Sequence, residues 1–133
     1  MINGAVEALL AEQTRLIEDL RPELDLTVVE RAGTTLFVGF VRPRDGREFM
    51  LRLRCDGWPV RLPSVDFVNP ATRVDEGPEV WPSDGEQAFK TTSQPRFICL
   101  PGSLEYQNSH GPGGTSIPKP ATFVHQVVMK ARA

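Results

Sequence analysis

Short connections between successive β-strand patterns limit what this chain can fold into. The patterns cover residues 26–31, 35–41, 49–55 and 65–68. An Asp-Gly turn signal at Asp45 and Gly46 joins the second pattern to the third. In the third pattern Phe49, Leu51 and Leu53 face one side, and arginines face the other. Because links this short join antiparallel neighbours, the sequence predicts a four-stranded antiparallel meander.

Apolar residues at helical spacing predict a helix on each side of this meander. Pro22 limits the first helix, because the residue before a proline avoids helical angles. The stripe of that helix consists of Ile2, Val6, Leu9, Leu10, Leu16, Ile17 and Leu20. Pro120 suits the first turn of a last helix, whose stripe consists of Phe123, Val124, Val127 and Val128. The order predicts one α+β domain over residues 1–133, with its helices packed on the sheet.

Composition narrows the classes of partner that this domain can bind. The chain has 133 residues and a net charge of -2, so we expect one buried core and no nucleic-acid partner. Five arginines cluster near the predicted hairpin: Arg42, Arg44, Arg47, Arg52 and Arg54. Side chains of this kind usually form a solvated strand face, and we favour that interpretation over a binding patch.

The sequence also indicates a compartment. No run approaches the roughly 20 apolar residues that cross a bilayer, and no secretion signal opens the chain, so we expect no membrane partner. Two cysteines make a poor disulfide framework. The sequence therefore predicts a cytoplasmic protein with two reduced thiols. A flexible stretch is expected at residues 109–116, and the one histidine there together with Cys99 does not supply the roughly four ligands of a zinc site, so we expect no metal or cofactor.

The two cysteines differ in their predicted direction. Strand alternation points Cys55 into the core. Cys99 closes a short apolar run that ends at Pro101 and Gly102, which favours an exposed thiol. A long irregular segment at residues 71–92 precedes it, with a short turn expected near Trp81. Cys99 is therefore the candidate nucleophile.

Two motifs around these strands carry a family resemblance. Residues 58–67 read Trp-Pro-Val-Arg-Leu-Pro-Ser-Val-Asp-Phe. This resembles a signature of ubiquitin-conjugating enzymes, in which tyrosine and proline precede a proline pair, a valine and a phenylalanine. Residues 97–100, Phe-Ile-Cys-Leu, resemble the catalytic segment of the same family. The helix and strand order agrees with that family, so the resemblance implies its fold over nearly the whole chain.

The resemblance implies a reaction and a set of partners. Cys99 would accept a ubiquitin-like protein as a thioester from an activating enzyme and pass it to an amine. The family's histidine-proline-asparagine triplet is missing here, so Asn108 or His110 would replace its asparagine. His110, or Glu105 as an alternative, would assist removal of the amine proton. This pattern is similar to divergent bacterial branches, which often include a deconjugating peptidase and sometimes act in antiphage defence.

Two other functions fit the same residues. The chain can be a catalytically silent relative that binds a ubiquitin-like modifier or acts as a scaffold. It can also be a small cysteine hydrolase that uses Cys99 and His110, although no third orienting residue is evident. His125 is interpreted as a surface position on the last helix.

Overall fold

A computed structural model describes residues 4–110 and 118–133 of the chain as an α+β fold. The helices are α1 (Gly4–Asp19), α2 (Arg21–Leu24), α3 (Leu104–His110) and α4 (Pro120–Arg132). The strands are β1 (Leu26–Ala32), β2 (Thr35–Arg42), β3 (Arg47–Arg54), β4 (Ser64–Val68), β5 (Phe89–Lys90) and β6 (Phe97–Ile98). None of the described helices has the length and apolar character needed to cross a membrane.

The first four strands form one antiparallel sheet in the order β1-β2-β3-β4. This confirms the predicted meander, and the strand ends differ from the prediction by only one or two residues. The predicted helices at both ends are also present, and a proline in its first turn begins the short α2 directly after α1. Ile2 lies outside the described residues, as do residues 111–117, where the glycine-rich stretch falls.

Helices α1 and α4 pack against each other and against β1 and β2. Leu10 and Ile17 of α1 and Val124 and Val127 of α4 are buried in the core. A buried polar contact also joins the two helices, because the side-chain oxygen of Gln13 accepts a hydrogen bond from the backbone N–H of Ala121 at 3.0 Å. The N-terminal end of α4, which lacks a side-chain cap of its own, is held by this glutamine.

An aromatic cluster joins the sheet to the irregular half of the chain. Phe67 of β4 packs edge-on against Phe40 and Phe49 of the sheet, with ring centroids 6.3 Å apart in each pair. The Phe67 ring also packs against the rings of Trp81 and Phe89, with centroid distances of 5.2 Å and 5.6 Å. Trp81 and Phe89 belong to the segment between β4 and β6, the strand that precedes Cys99. Phe67 therefore holds that segment on the core.

Two of the five hairpin arginines are held in two-point ion pairs, which corrects the sequence-based interpretation for these two, whereas Arg44, Arg47 and Arg54 are exposed as expected. Arg42 is buried and forms a two-point contact with Asp45, and Arg52 does the same with Asp66 on β4. Alternation places Arg42 on the core side of β2, where only a partner carboxylate makes burial of a guanidinium acceptable. No surplus of unpaired basic charge is left at these two positions for an anionic partner.

The loop after β4 covers the sheet face opposite the helices. Arg73 pairs with Glu30 on β1, and its guanidinium lies 4.6 Å from the centre of the Phe37 ring. The carbonyl of Arg73 also accepts a hydrogen bond from Arg52 at 3.3 Å. Met50, whose side chain points away from the helices, is also buried.

We expect Phe67→Ala to lower the free energy of unfolding by about 3–5 kcal/mol, because four aromatic rings lose a common partner. Val60→Ala is the control, since the Val60 side chain is 93% exposed and its loss should change stability by less than about 0.5 kcal/mol. Guanidinium unfolding followed by tryptophan fluorescence measures both. Equal midpoints for the two variants would contradict a central role for Phe67.

Candidate active site

Cys99 follows directly after β6, a strand of two residues that pairs with β5. Ile98 points into the core, and Cys99, the next residue, is half-buried rather than sealed. Its backbone N–H donates a hydrogen bond of 2.6 Å to the carbonyl of Ala88, which extends the pairing one residue beyond the strand. Backbone pairing therefore sets the position of this residue at the rim of the core.

Cys55 has the opposite environment. Its side chain is fully buried, as strand alternation predicted. Burial, and secondly the nearby charge of Asp56, raises the pKa of the Cys55 thiol to about 12. A thiol with this pKa stays protonated at neutral pH, and only the thiolate attacks a carbonyl carbon. Cys55 is thus a core residue, and Cys99 is the one cysteine that the fold leaves accessible.

A close approach locks the turn after Cys99 onto α4. Gly102 has a φ of 132°, a conformation that side chains with a Cβ atom rarely adopt. A Cβ atom at this position would lie 2.4 Å from Cδ1 of Phe123, which is buried in the core. Glycine is therefore required for the turn to rest on the helix, and this contact fixes the path of the chain beyond the cysteine.

The proline-containing segment and the segment after the cysteine are hydrogen-bonded to each other. The backbone N–H of Leu104 donates to the carbonyl of Pro63 at 2.8 Å. The carboxylate of Glu105 accepts from the Ser64 hydroxyl at 2.6 Å and from the Val65 N–H at 2.8 Å. The motif at residues 58–67 thus meets the first turn of α3, which begins shortly after the cysteine segment.

Sequence analysis did not predict α3. Residues 104–108 were not assigned to an element, and the flexible stretch was expected to begin at Ser109. The available signal was Ser103, whose hydroxyl oxygen accepts a hydrogen bond from the N–H of Tyr106 at 3.1 Å and so caps the helix. The expected short turn near Trp81 is present as a single 3-10 turn at Pro78–Val80.

Two depressions flank the cysteine along the chain. A cleft of about 450 Å³ is lined by Ser93, Gln94, Pro95, Phe97, Glu105, Asn108 and Ser109. An open, mainly apolar groove of about 1040 Å³ lies between the segment Leu100 and Pro101 and the outer face of α4. Cys99 stands between Phe97, which lines the cleft, and Leu100, which lines the groove. Both depressions therefore open beside the cysteine segment, although Cys99 itself lines neither.

The structure places the other predicted site residues on α3 and α4. Asn108 is exposed on α3 and lines the cleft of about 450 Å³. Phe97, which precedes Cys99 by two residues, lines the same cleft. His110 is the last residue of α3, and its side chain lies outside the described part of the structure. His125 lies at the surface of α4, as predicted, and its Nε2 atom is 3.4 Å from a carboxylate oxygen of Glu23. The described residues contain no group of three or more His, Cys, Asp or Glu side chains arranged to hold a metal ion.

Comparison with models of known protein families finds no match for the chain, and comparison with curated protein sequences finds none either.

We expect iodoacetamide near neutral pH to modify the native protein once, at Cys99, because burial protects Cys55 and keeps its thiol protonated. Intact-mass spectrometry counts the adducts. Cys99→Ser should remove the native adduct, Cys55→Ala should keep it, and unfolding in guanidinium should give the wild type a second one. A native adduct on Cys55, or none on Cys99, would contradict this description of the site.

Proposed function

We propose that the chain is a ubiquitin-conjugating-enzyme-like transferase that carries a ubiquitin-like protein as a thioester on Cys99. The observation that carries the proposal is the contrast between the two cysteines. One thiol is sealed in the core, whereas the other follows a paired strand at the rim, between a cleft and a groove. The reaction needs an activating enzyme and a modifier. A deconjugating peptidase, a bacterial antiphage role and a cytoplasmic location belong to the same hypothesis.

The first step is exchange of one thioester for another. The Cys99 thiolate attacks the carbonyl carbon of the modifier, which is held by a cysteine of the activating enzyme. A C–S bond forms to Cys99, the original C–S bond breaks, and the cysteine of the activating enzyme leaves as a thiolate. Cysteine suits this exchange because its thiolate is both a good nucleophile and a good leaving group.

The second step is attack by an amine on the new thioester. A C–N bond forms, the C–S bond to Cys99 breaks, and the amine nitrogen gives up a proton. Negative charge builds on the carbonyl oxygen during this step, and a well-placed donor there is worth roughly 3 kcal/mol. Asn108 and Gln94 both line the cleft beside Phe97 with a side-chain amide that can donate a neutral N–H, and we assign this role to Asn108. His110 is the proposed acceptor of the amine proton.

Two approaches to the cysteine support a transfer reaction. An acyl carrier must hold a bulky donor and still admit an amine, so a single closed pocket would not serve. The apolar groove along α4 is open enough for part of a protein, and the smaller cleft on the other side is lined mainly by polar side chains. We assign the groove to the donor and the cleft to the amine.

We expect a thiol-sensitive adduct on Cys99 when the chain is incubated with ATP, an activating enzyme and its ubiquitin-like protein from the same genome. A non-reducing gel detects the adduct, and a reducing agent should remove it. Cys99→Ala should abolish it, while the matched variant Cys55→Ala should keep it. An adduct that survives Cys99→Ala would reject the site. Absence of any adduct on the wild type would favour the catalytically silent binding protein.

We expect Asn108→Ala and His110→Ala to keep thioester formation but to slow transfer to lysine by about tenfold or more, because each removes a group used only in the second step. Single-turnover discharge of the preformed thioester measures both rates. Gln107→Ala, a change on the same helix at a residue that does not line the cleft, is the control and should discharge at the wild-type rate. Unchanged discharge in either variant would remove that residue from the mechanism.

A further inference from the structure

Helix α3 is too short to hold its own orientation. It has seven residues, about two turns, and isolated helices of this length are marginal in water. Its direction must therefore come from contacts with the rest of the fold. Three such contacts lie at its first turn: the cap from Ser103, the hydrogen bond from Leu104 to Pro63, and the hydrogen bonds between the carboxylate of Glu105 and β4.

Glu105 is the side chain that fixes the rotation of α3 about its axis. The other two contacts are made at the end of the helix, close to that axis. The carboxylate instead reaches sideways to the Ser64 hydroxyl and the Val65 N–H, at the start of β4. Both of its oxygens accept a hydrogen bond, so its orientation is set at two points. A helix that is hydrogen-bonded to the sheet in this way on one side cannot rotate freely about its axis.

Glu105 and Asn108 lie on the same face of α3. Residues three apart on a helix are neighbours on its surface, and both side chains line the cleft beside Phe97. The hydrogen bonds between Glu105 and β4 therefore determine the direction of the Asn108 amide, which lies about one turn further along the helix. A displacement of only about 1 Å at a reacting centre can cost roughly a hundredfold in rate.

We propose that Glu105 is a positioning residue of the amine-transfer step, an inference that rests on the proposed function. We assign it no proton exchange with the amine, because its carboxylate is directed at the Ser64 hydroxyl and the Val65 N–H of β4. Its effect passes through α3 to Asn108. The alternative that sequence analysis left open, proton removal by Glu105 itself, predicts a different response to substitution.

A small acyl donor tests the inference without any protein partner. The native chain is treated with the mercaptoethanesulfonate thioester of acetyl-glycylglycine. The Cys99 thiolate displaces mercaptoethanesulfonate and takes up the acyl group. After removal of excess reagent, lysine is added, and intact-mass spectrometry follows loss of the acyl group. A synthetic peptide of residues 95–104, loaded in the same way, gives the uncatalysed rate.

We expect Glu105→Ala to load normally but to discharge about tenfold more slowly than the wild type. Glu105→Gln should recover most of that rate, because the amide oxygen still accepts from Val65 and the amide N–H donates to the Ser64 oxygen. Ser64→Ala should give an intermediate rate. Glu48→Ala, which removes an exposed carboxylate on β3, is the matched control and should discharge like the wild type. Thermal melting of each variant checks that the fold persists.

The outcomes separate the two hypotheses. Equal discharge from the wild type and the peptide, or failure of the native thiol to load, would overturn the proposed function. Faster discharge from the wild type together with an unaffected Glu105→Ala variant would overturn only the role of Glu105. A Glu105→Gln variant as slow as Glu105→Ala would also overturn positioning, because loss of a base would then explain the defect.

Discussion

The packing of Phe67 against four other aromatic rings is the interaction on which the rest of this structure depends. Two of the rings belong to the sheet, and two belong to the irregular segment that leads to Cys99. That segment contains little regular structure of its own. Burial of Trp81 and Phe89 against Phe67 supplies the free energy that orders it, which a loop without apolar anchors could not obtain.

Polar contacts then convert this general burial into a defined position for the thiol. The Cys99 N–H is paired with Ala88, the turn at Gly102 rests on Phe123, and Glu105 is bonded to β4. Each contact involves a different neighbouring element. Together they hold the half-buried Cys99 in the segment between a polar cleft and an apolar groove.

Local pattern was sufficient for the regular elements. The meander, the outer helices and the inward direction of Cys55 follow from periodicity of two and of 3.6 residues, and each is confirmed. Two features were missed or misjudged for the same reason. Helix α3 has few apolar positions and depends on contacts with Pro63 and, through Glu105, with the start of β4. The buried state of Arg42 depends on its pairing with Asp45. Contacts of this kind leave only weak traces in local sequence.

Sequence alone determined the α+β class, the strand order and the inward direction of Cys55, because these depend on short connections and on which face of a strand or helix each side chain occupies. Only the tertiary structure decided that Glu105 anchors α3 on β4 and that Asn108 lines the same cleft as Phe97 of β6. These facts depend on how distant segments pack against one another. Periodicity reports the direction of a side chain within its own element, and it does not report the neighbour that the side chain meets.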